Sequence, residues 1–257
     1  VGRLDGKVAI ITGGGQGIGL GIALALASEG ADIAIAELRS ERATRAADEV
    51  RERGVKVAAI TCDVRHRGDV DAAVEQTVNE LGSIDILVNN AIATDSDPEL
   101  AASGGRRPLV ETTEDLMRLQ WESGLLGTFH FMQASYPHLR GRDASIVNLA
   151  SRAGTDGIDG YAAYASAKEA IRALSRVASR EWGADGIRVN VICPHARTPS
   201  QQKFAEANPG IEDQLIAHVP LGRLGDAELD IGGAVVMLSS PDARYVTGQT
   251  IMVNGGA

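Results

Sequence analysis

Tyr164 and Lys168 stand four residues apart in Tyr164-Ala165-Ser166-Ala167-Lys168, within an alanine-rich segment of helical period. Residues so spaced share one face of a helix. A free phenol, with a pKa of about 10, is a poor proton acceptor at neutral pH, but a cation beside it favours the phenolate and brings it toward a working range. Ser151 follows an apolar run and precedes Tyr164 by 13 residues. A hydroxyl there can hold a substrate oxygen in line with the phenol. Tyr161 is a second phenol close by, but Ala165, not a lysine, stands four residues after it.

A second constellation lies near the N-terminus. The apolar run Val8–Thr12 leads straight into Gly13-Gly14-Gly15-Gln16-Gly17-Ile18-Gly19, and Leu20-Gly21-Ile22-Ala23 then opens a helical pattern. Glycine lets the backbone turn tightly and approach a pyrophosphate, whose charge meets the free N–H groups at a helix N-terminus. Glu37 ends the next apolar run about 20 residues on, where a carboxylate accepts the hydroxyls of an adenine ribose and repels a 2′-phosphate. The pattern describes a dinucleotide site with NAD(H) preferred. Arg39 keeps NADP(H) open, since a guanidinium there can bind the extra phosphate.

The elements that must position these groups read as short apolar runs alternating with helical segments, the pattern of parallel strands joined by crossover helices. Strands are expected at Val8–Thr12, Asp32–Ala36, Lys56–Thr61, Ile84–Asn89, Ser145–Leu149, Arg188–Ile192 and Gln249–Val253. Helices are expected at Gly19–Glu29, Ser40–Arg53, Arg67–Leu81, Thr113–Leu139, Tyr161–Trp182 and Asp226–Ser239. The expectation is one α/β domain spanning 1–257, a Rossmann-type doubly wound seven-stranded parallel sheet. Residues 92–112 and 194–222 break the rhythm with prolines, glycines and charge. Both follow strands, where open α/β sheets bind ligands, so they are candidate substrate walls.

With 25 Lys+Arg against 34 Asp+Glu the chain carries a formal charge of −9 and no basic run, which argues against nucleic acid as a partner. No apolar stretch reaches the roughly 20 residues of a membrane span, and no signal-peptide core precedes the first strand, so a cytoplasmic location is expected. Cys62 and Cys193 lack metal-ligand spacing and read as buried free thiols; no metal site is expected.

On these residues the whole chain resembles the short-chain dehydrogenase/reductase family. Thr12, Gly13, Gly17 and Gly19 match its phosphate turn, with Gln16 and Ile18 between them. Asp63-Val64 resembles its adenine-binding pair, Asn89-Asn90-Ala91 the segment that closes over the adenosine ribose, and Pro194 with Thr198 the segment that holds the nicotinamide carboxamide. Gly222-Arg223-Leu224-Gly225 and Val246-Thr247-Gly248-Gln249 through Gly255-Gly256 are similar to its C-terminal signature. The resemblance implies that Tyr164 is the general acid/base, that Lys168 lowers its pKa and binds the nicotinamide ribose, and that Ser151 polarises the carbonyl. It also implies an alcohol–ketone oxidoreductase and a homotetramer, although a homodimer would bury the same long helices.

Three positions depart from the family pattern. Gly124 stands where a fourth catalytic residue, an asparagine, is usual, which leaves room for water or weakens turnover and softens or kinks the helix. Ile92 replaces a glycine, adding bulk near the nicotinamide, and His195 replaces another, as a substrate contact or a plain loop imidazole. Arg106 and Arg107 extend the loop after Ile92, either to bind an acidic substrate or as a solvated tip. The leading expectation is an NAD(H)-dependent oxidoreductase that interconverts a secondary alcohol and a ketone. The alternatives are a dinucleotide-binding protein of the same fold with little activity, acting as a sensor or assembly subunit, and a dehydratase or epimerase on this fold.

Overall fold

The computed structural model describes residues 2–93 and 105–257. Seven strands form one wholly parallel sheet: β1 (Val8–Thr12), β2 (Asp32–Glu37), β3 (Val57–Thr61), β4 (Ile86–Asn89), β5 (Ala144–Leu149), β6 (Ile187–Pro194) and β7 (Thr250–Val253). Their spatial order is β3-β2-β1-β4-β5-β6-β7. The inner strands are Val/Ile/Ala-rich and buried along their length, as parallel strands covered on both faces must be. The order reverses between β1 and β4, where Thr12 pairs with Asn89, and a crevice opens beyond the strand ends at such a switch point.

One face carries α1 (Gly17–Ser28), α2 (Ser40–Arg51) and α10 (Gly233–Ser239), with a core that includes Ile22, Leu26, Ile33, Ile35, Val235 and Leu238. The other carries α3 (Arg67–Leu81), α5 (Gly127–Leu139) and α7 (Ala162–Glu181) around Val70, Phe131, Met132, Ile146 and Ala178. All seven strands and six helical segments fall where the hydrophobic pattern puts them, within a few residues.

Three segments differ. The helix expected over Asp226–Ser239 is a π-helical turn (Ala227–Gly232) followed by α10. The helix expected over Thr113–Leu139 is α4 (Glu114–Gln120), a π-helical turn (Trp121–Leu126) and then α5. Gly124 lies in that wide turn, so the local irregularity expected of a glycine there takes a defined form. The stretch 194–222 contains α8 (Pro199–Ala207) and α9 (Ile211–Ala217). Thr198 caps α8, its hydroxyl accepting from Gln201 N at 3.2 Å, with Pro199 at the first helical position. Of the other candidate wall, Asp95, Asp97, Pro98 and Gly104 lie outside the described residues.

Candidate active site

The glycine turn is held in shape by its neighbours across the switch point. Gly13 has φ 63°, and a Cβ on Gly19 would stand 2.3 Å from the Gly13 carbonyl oxygen. Side chains are therefore excluded where the chain folds back on itself. Asn90 fastens this shape: its Nδ2 donates to the carbonyls of Thr12 and Gly13 at 2.9 and 3.0 Å, while Thr12 Oγ1 accepts from the backbone N–H of both Asn90 and Ala91 at 3.0 Å. Asn90 thus serves the site by locking the turn. Gln16 is the N-cap of α1, and among the described residues no side chain caps the helix and no acid lies in its first turn. Ile18 packs on the core and anchors the first turn of α1.

Glu37 is 7% exposed at the end of β2, with Oε2 accepting from Gly15 N and Oε1 from Arg39 N, both at 3.3 Å. The carboxylate therefore borders the glycine turn, where an adenine ribose would lie if a pyrophosphate occupied the N-terminus of α1. Asp63 follows β3 beside buried Val64, and the Arg65 guanidinium bonded to it at 2.6 Å holds its carboxyl below the usual range. On the far wall, Pro199 Cδ and Thr198 Cβ would stand 3.5 and 3.9 Å from a Cβ on Gly17. Thr198 thus lines the same cleft as the turn, while Pro194 ends β6 a few residues before it. These features fit a dinucleotide: a backbone cradle without side chains, an uncapped helix N-terminus, and an acid at the ribose position.

Ser151 is the N-cap of a short helix, α6 (Arg152–Thr155), its Oγ accepting from Ala153 N at 3.1 Å. With a lone pair engaged by the backbone, its O–H remains to donate, and Ser151 lies near enough to Tyr164 to favour its phenolate. Tyr164 and Lys168 project from the first turns of α7, with Lys168 Nζ 5.7 Å from the Tyr164 ring centroid. Lys168 is only 3% exposed and donates to the Leu149 carbonyl, at the end of β5, at 2.7 Å. Tyr161, the N-cap of α7, lies 6.1 Å from Tyr164 ring to ring, and the Arg106 guanidinium stacks over it at 5.7 Å.

One expectation requires correction. The protein groups alone do not bring the Tyr164 phenol down. Burial pushes it up, partly offset by the neighbouring Ser151, and burial also pushes the Lys168 ammonium down to about 8. Both charged forms lose water in the same cleft, and the lysine is aimed at Leu149 rather than at the phenol oxygen.

Ile92 reaches the position where the family places its asparagine. Its Cδ1 and Cγ1 pack at Gly124, so that space holds hydrocarbon. His195 is half-buried beside Arg152; burial, then that positive charge, pushes its imidazole down. Its backbone is pinned by bonds to Val253 and Gly225. Arg107 N donates to Gly160 O at 2.8 Å and the Arg106 guanidinium lies over Tyr161, so the pair borders the start of α7 while Arg106 stays exposed.

Several contributors have no signal in the sequence. The Leu149 carbonyl that holds Lys168 is a backbone group. The Asn89–Asn148–Ser175 chain behind the site, at 2.8 Å per link, joins residues far apart in sequence.

Comparison with known proteins agrees with this geometry. A family model described as enoyl-(acyl carrier protein) reductase matches residues 13–257. The chain is 43% identical to a 12α-hydroxysteroid dehydrogenase from a Clostridium species, over all of this chain and 98% of the relative. It is 33% identical to the 7α-hydroxysteroid dehydrogenase of Escherichia coli K12, over 99% of this chain and 95% of that one. A solved 7α-hydroxysteroid dehydrogenase, complexed with NADH and 7-oxo glycochenodeoxycholic acid, superposes with a TM-score of 0.89 at 33% identity, over 99% of this chain and 95% of the other. Sheet order, glycine turn and the Ser151, Tyr164, Lys168 grouping thus meet in one chain, which belongs to the short-chain dehydrogenase/reductase family.

Proposed function

We propose that this protein is an NAD(H)-dependent dehydrogenase that interconverts a secondary hydroxyl and a ketone on a hydroxysteroid of the bile-acid class. The observation that carries the reading is the grouping of Ser151, Tyr164 and Lys168, with the lysine Nζ 5.7 Å from the Tyr164 ring, at the mouth of a dinucleotide cleft. The steroid class is supported by the names of the full-length relatives and by the ligand in the similar solved structure. NAD(H) over NADP(H) is supported by Glu37, whose carboxylate would oppose a 2′-phosphate.

When bound, the nicotinamide supplies the hydride acceptor or donor. Ser151 Oγ, fixed by the Ala153 N–H, donates to the substrate oxygen. Tyr164 Oη takes the hydroxyl proton in oxidation and returns it in reduction. Lys168 supplies positive charge from beneath the phenol while its ammonium is held by the Leu149 carbonyl. Thr198, which faces the glycine turn, and Pro194 hold the nicotinamide end, while Gly13, Gln16, Gly17, Ile18, Gly19, Asp63, Val64 and Asn90 form or brace the adenosine and pyrophosphate end. The residues 92–112 and 194–222 are the proposed substrate walls. A homotetramer is supported by exposed apolar side chains on the helical face (Trp121, Leu126, Val177) and near β7 (Met237, Tyr245, Met252).

The test is nicotinamide absorbance with NAD+ or NADP+ against bile acids bearing 7α- or 12α-hydroxyls. Reduction of NAD+ that disappears in Tyr164→Phe supports the reading. NADH binding without turnover across this panel and simpler secondary alcohols would favour a dinucleotide binder.

A further inference from the structure

Ile92 and Gly124 are far apart in sequence and meet in the fold. A Cβ on Gly124 would stand 3.3 Å from Ile92 Cδ1, 3.8 Å from Ile92 Cγ1 and 3.7 Å from Ala167 Cβ. The first distance is tighter than ordinary packing, so the isoleucine branch lies against bare backbone with α7 closing the other side. Ala167 immediately precedes Lys168.

The same helical stretch grips the next residue. Ser123 Oγ accepts from Ala93 N at 3.0 Å and donates to Leu119 O at 2.6 Å, while Gln120 Nε2 donates to Ala93 O at 3.0 Å. Both side chains are buried. Two side chains three residues apart thus hold both polar groups of one backbone unit, which fixes where the chain leaves β4 and where Ile92 points. A further tie crosses to α7: Trp121 Nε1 donates to Ser166 Oγ at 3.1 Å, between Tyr164 and Lys168.

We propose that Ile92 and Gly124 are a matched positioning pair, in which glycine in the π turn makes a slot, Ile92 Cδ1 fills it, and the packed slot sets where α7 carries Tyr164 and Lys168. The slot is apolar and filled, so Gly124 is not a lesion in the site. A larger residue at 124 displaces Ile92 or α7, and a smaller one at 92 lets the turn relax. The effect on the reaction rests on the roles proposed above for Tyr164 and Lys168; the pairing itself does not.

The test moves one methyl group across the contact. Gly124→Ala adds a Cβ, Ile92→Val removes the Cδ1 that it would meet, and the double variant does both. For bile-acid oxidation, Gly124→Ala is expected to lower kcat roughly 5–10-fold and displace its pH profile, with KM for NAD+ within about twofold of wild type. Ile92→Val is expected to lower kcat by roughly two- to threefold, and the double variant to return within about twofold in kcat and pH profile. Additive losses in the double variant, or a Gly124→Ala enzyme identical to wild type, would overturn the pairing. If Gly124→Ala does not fold, a double variant that folds with the wild-type thermal midpoint supports it and one that does not fold overturns it. Should wild type turn over no alcohol, the functional reading fails separately, and thermal midpoints of the four proteins decide the pair: recovery in the double variant supports it, additivity refutes it.

Discussion

Replacing Lys168 by methionine is expected to stabilise the protein while abolishing turnover. Lys168 is 3% exposed, and burial brings its ammonium from the ordinary 10.5 to about 8. At about 1.4 kcal/mol per unit, keeping that charge in the folded state costs about 3 kcal/mol wherever both states are protonated, below about pH 8. As pH rises from about 8 to 10.5 the unfolded chain binds the extra proton, so stability rises across that window and the cost is gone above it. Methionine fills a similar volume without charge but leaves the Leu149 carbonyl without its donor, returning about 1–2 kcal/mol. The net gain at pH 7 is about 1–2 kcal/mol, roughly 3–6 °C in thermal midpoint for a chain of this size. The assay is thermal denaturation of both proteins at equal concentration, at pH 7 and pH 10. A difference that shrinks toward zero or reverses at pH 10 is expected, because the wild type has then shed its cost. A variant less stable than wild type at pH 7, or a gap independent of pH, would show that the ammonium is not held at a cost and would remove the argument that it is kept for chemistry.

The remaining predictions concern the cofactor and the proton. Glu37→Gln should weaken NADH and strengthen NADPH so that their dissociation constants, from quenching of Trp121 and Trp182, shift relative to one another by about tenfold or more; an unchanged ratio would place the ribose elsewhere. Asn90→Ala removes the two bonds to Thr12 and Gly13 and should cost about 1–3 kcal/mol in urea denaturation while weakening NADH about tenfold. Alcohol oxidation should rise with pH through the alkaline range, because burial raises Tyr164 and oxidation needs the phenolate; ketone reduction, which uses the neutral phenol, should hold at neutral pH and fall only at high pH. A flat oxidation profile would argue against the phenol as base.

Much of the frame is legible in the sequence because parallel strands buried on both faces must be apolar throughout. Val8–Thr12 is matched at both ends, as is the helix over Arg67–Leu81. What escapes is set by contacts across space. The helix over Thr113–Leu139 reads as continuous because a π turn preserves the local composition, and the meeting of Gly124 with Ile92 and Ala167 joins residues far apart in sequence. The helix at Pro199 carried a readable signal, a capping threonine followed by proline, masked by the irregular composition around it. At the site, the spacing of Tyr164 and Lys168 correctly brings them together. The direction of their protonation equilibria depends on burial, which spacing does not report.

The most direct test of the central claim follows nicotinamide absorbance with NAD+ and a 7α- or 12α-hydroxylated bile acid, wild type beside Tyr164→Phe. The expected result is steady NADH formation by wild type and a loss of at least about a hundredfold in the variant, with NADH affinity unchanged. Equal rates in the two proteins would contradict the assignment of Tyr164 as the group that moves the proton.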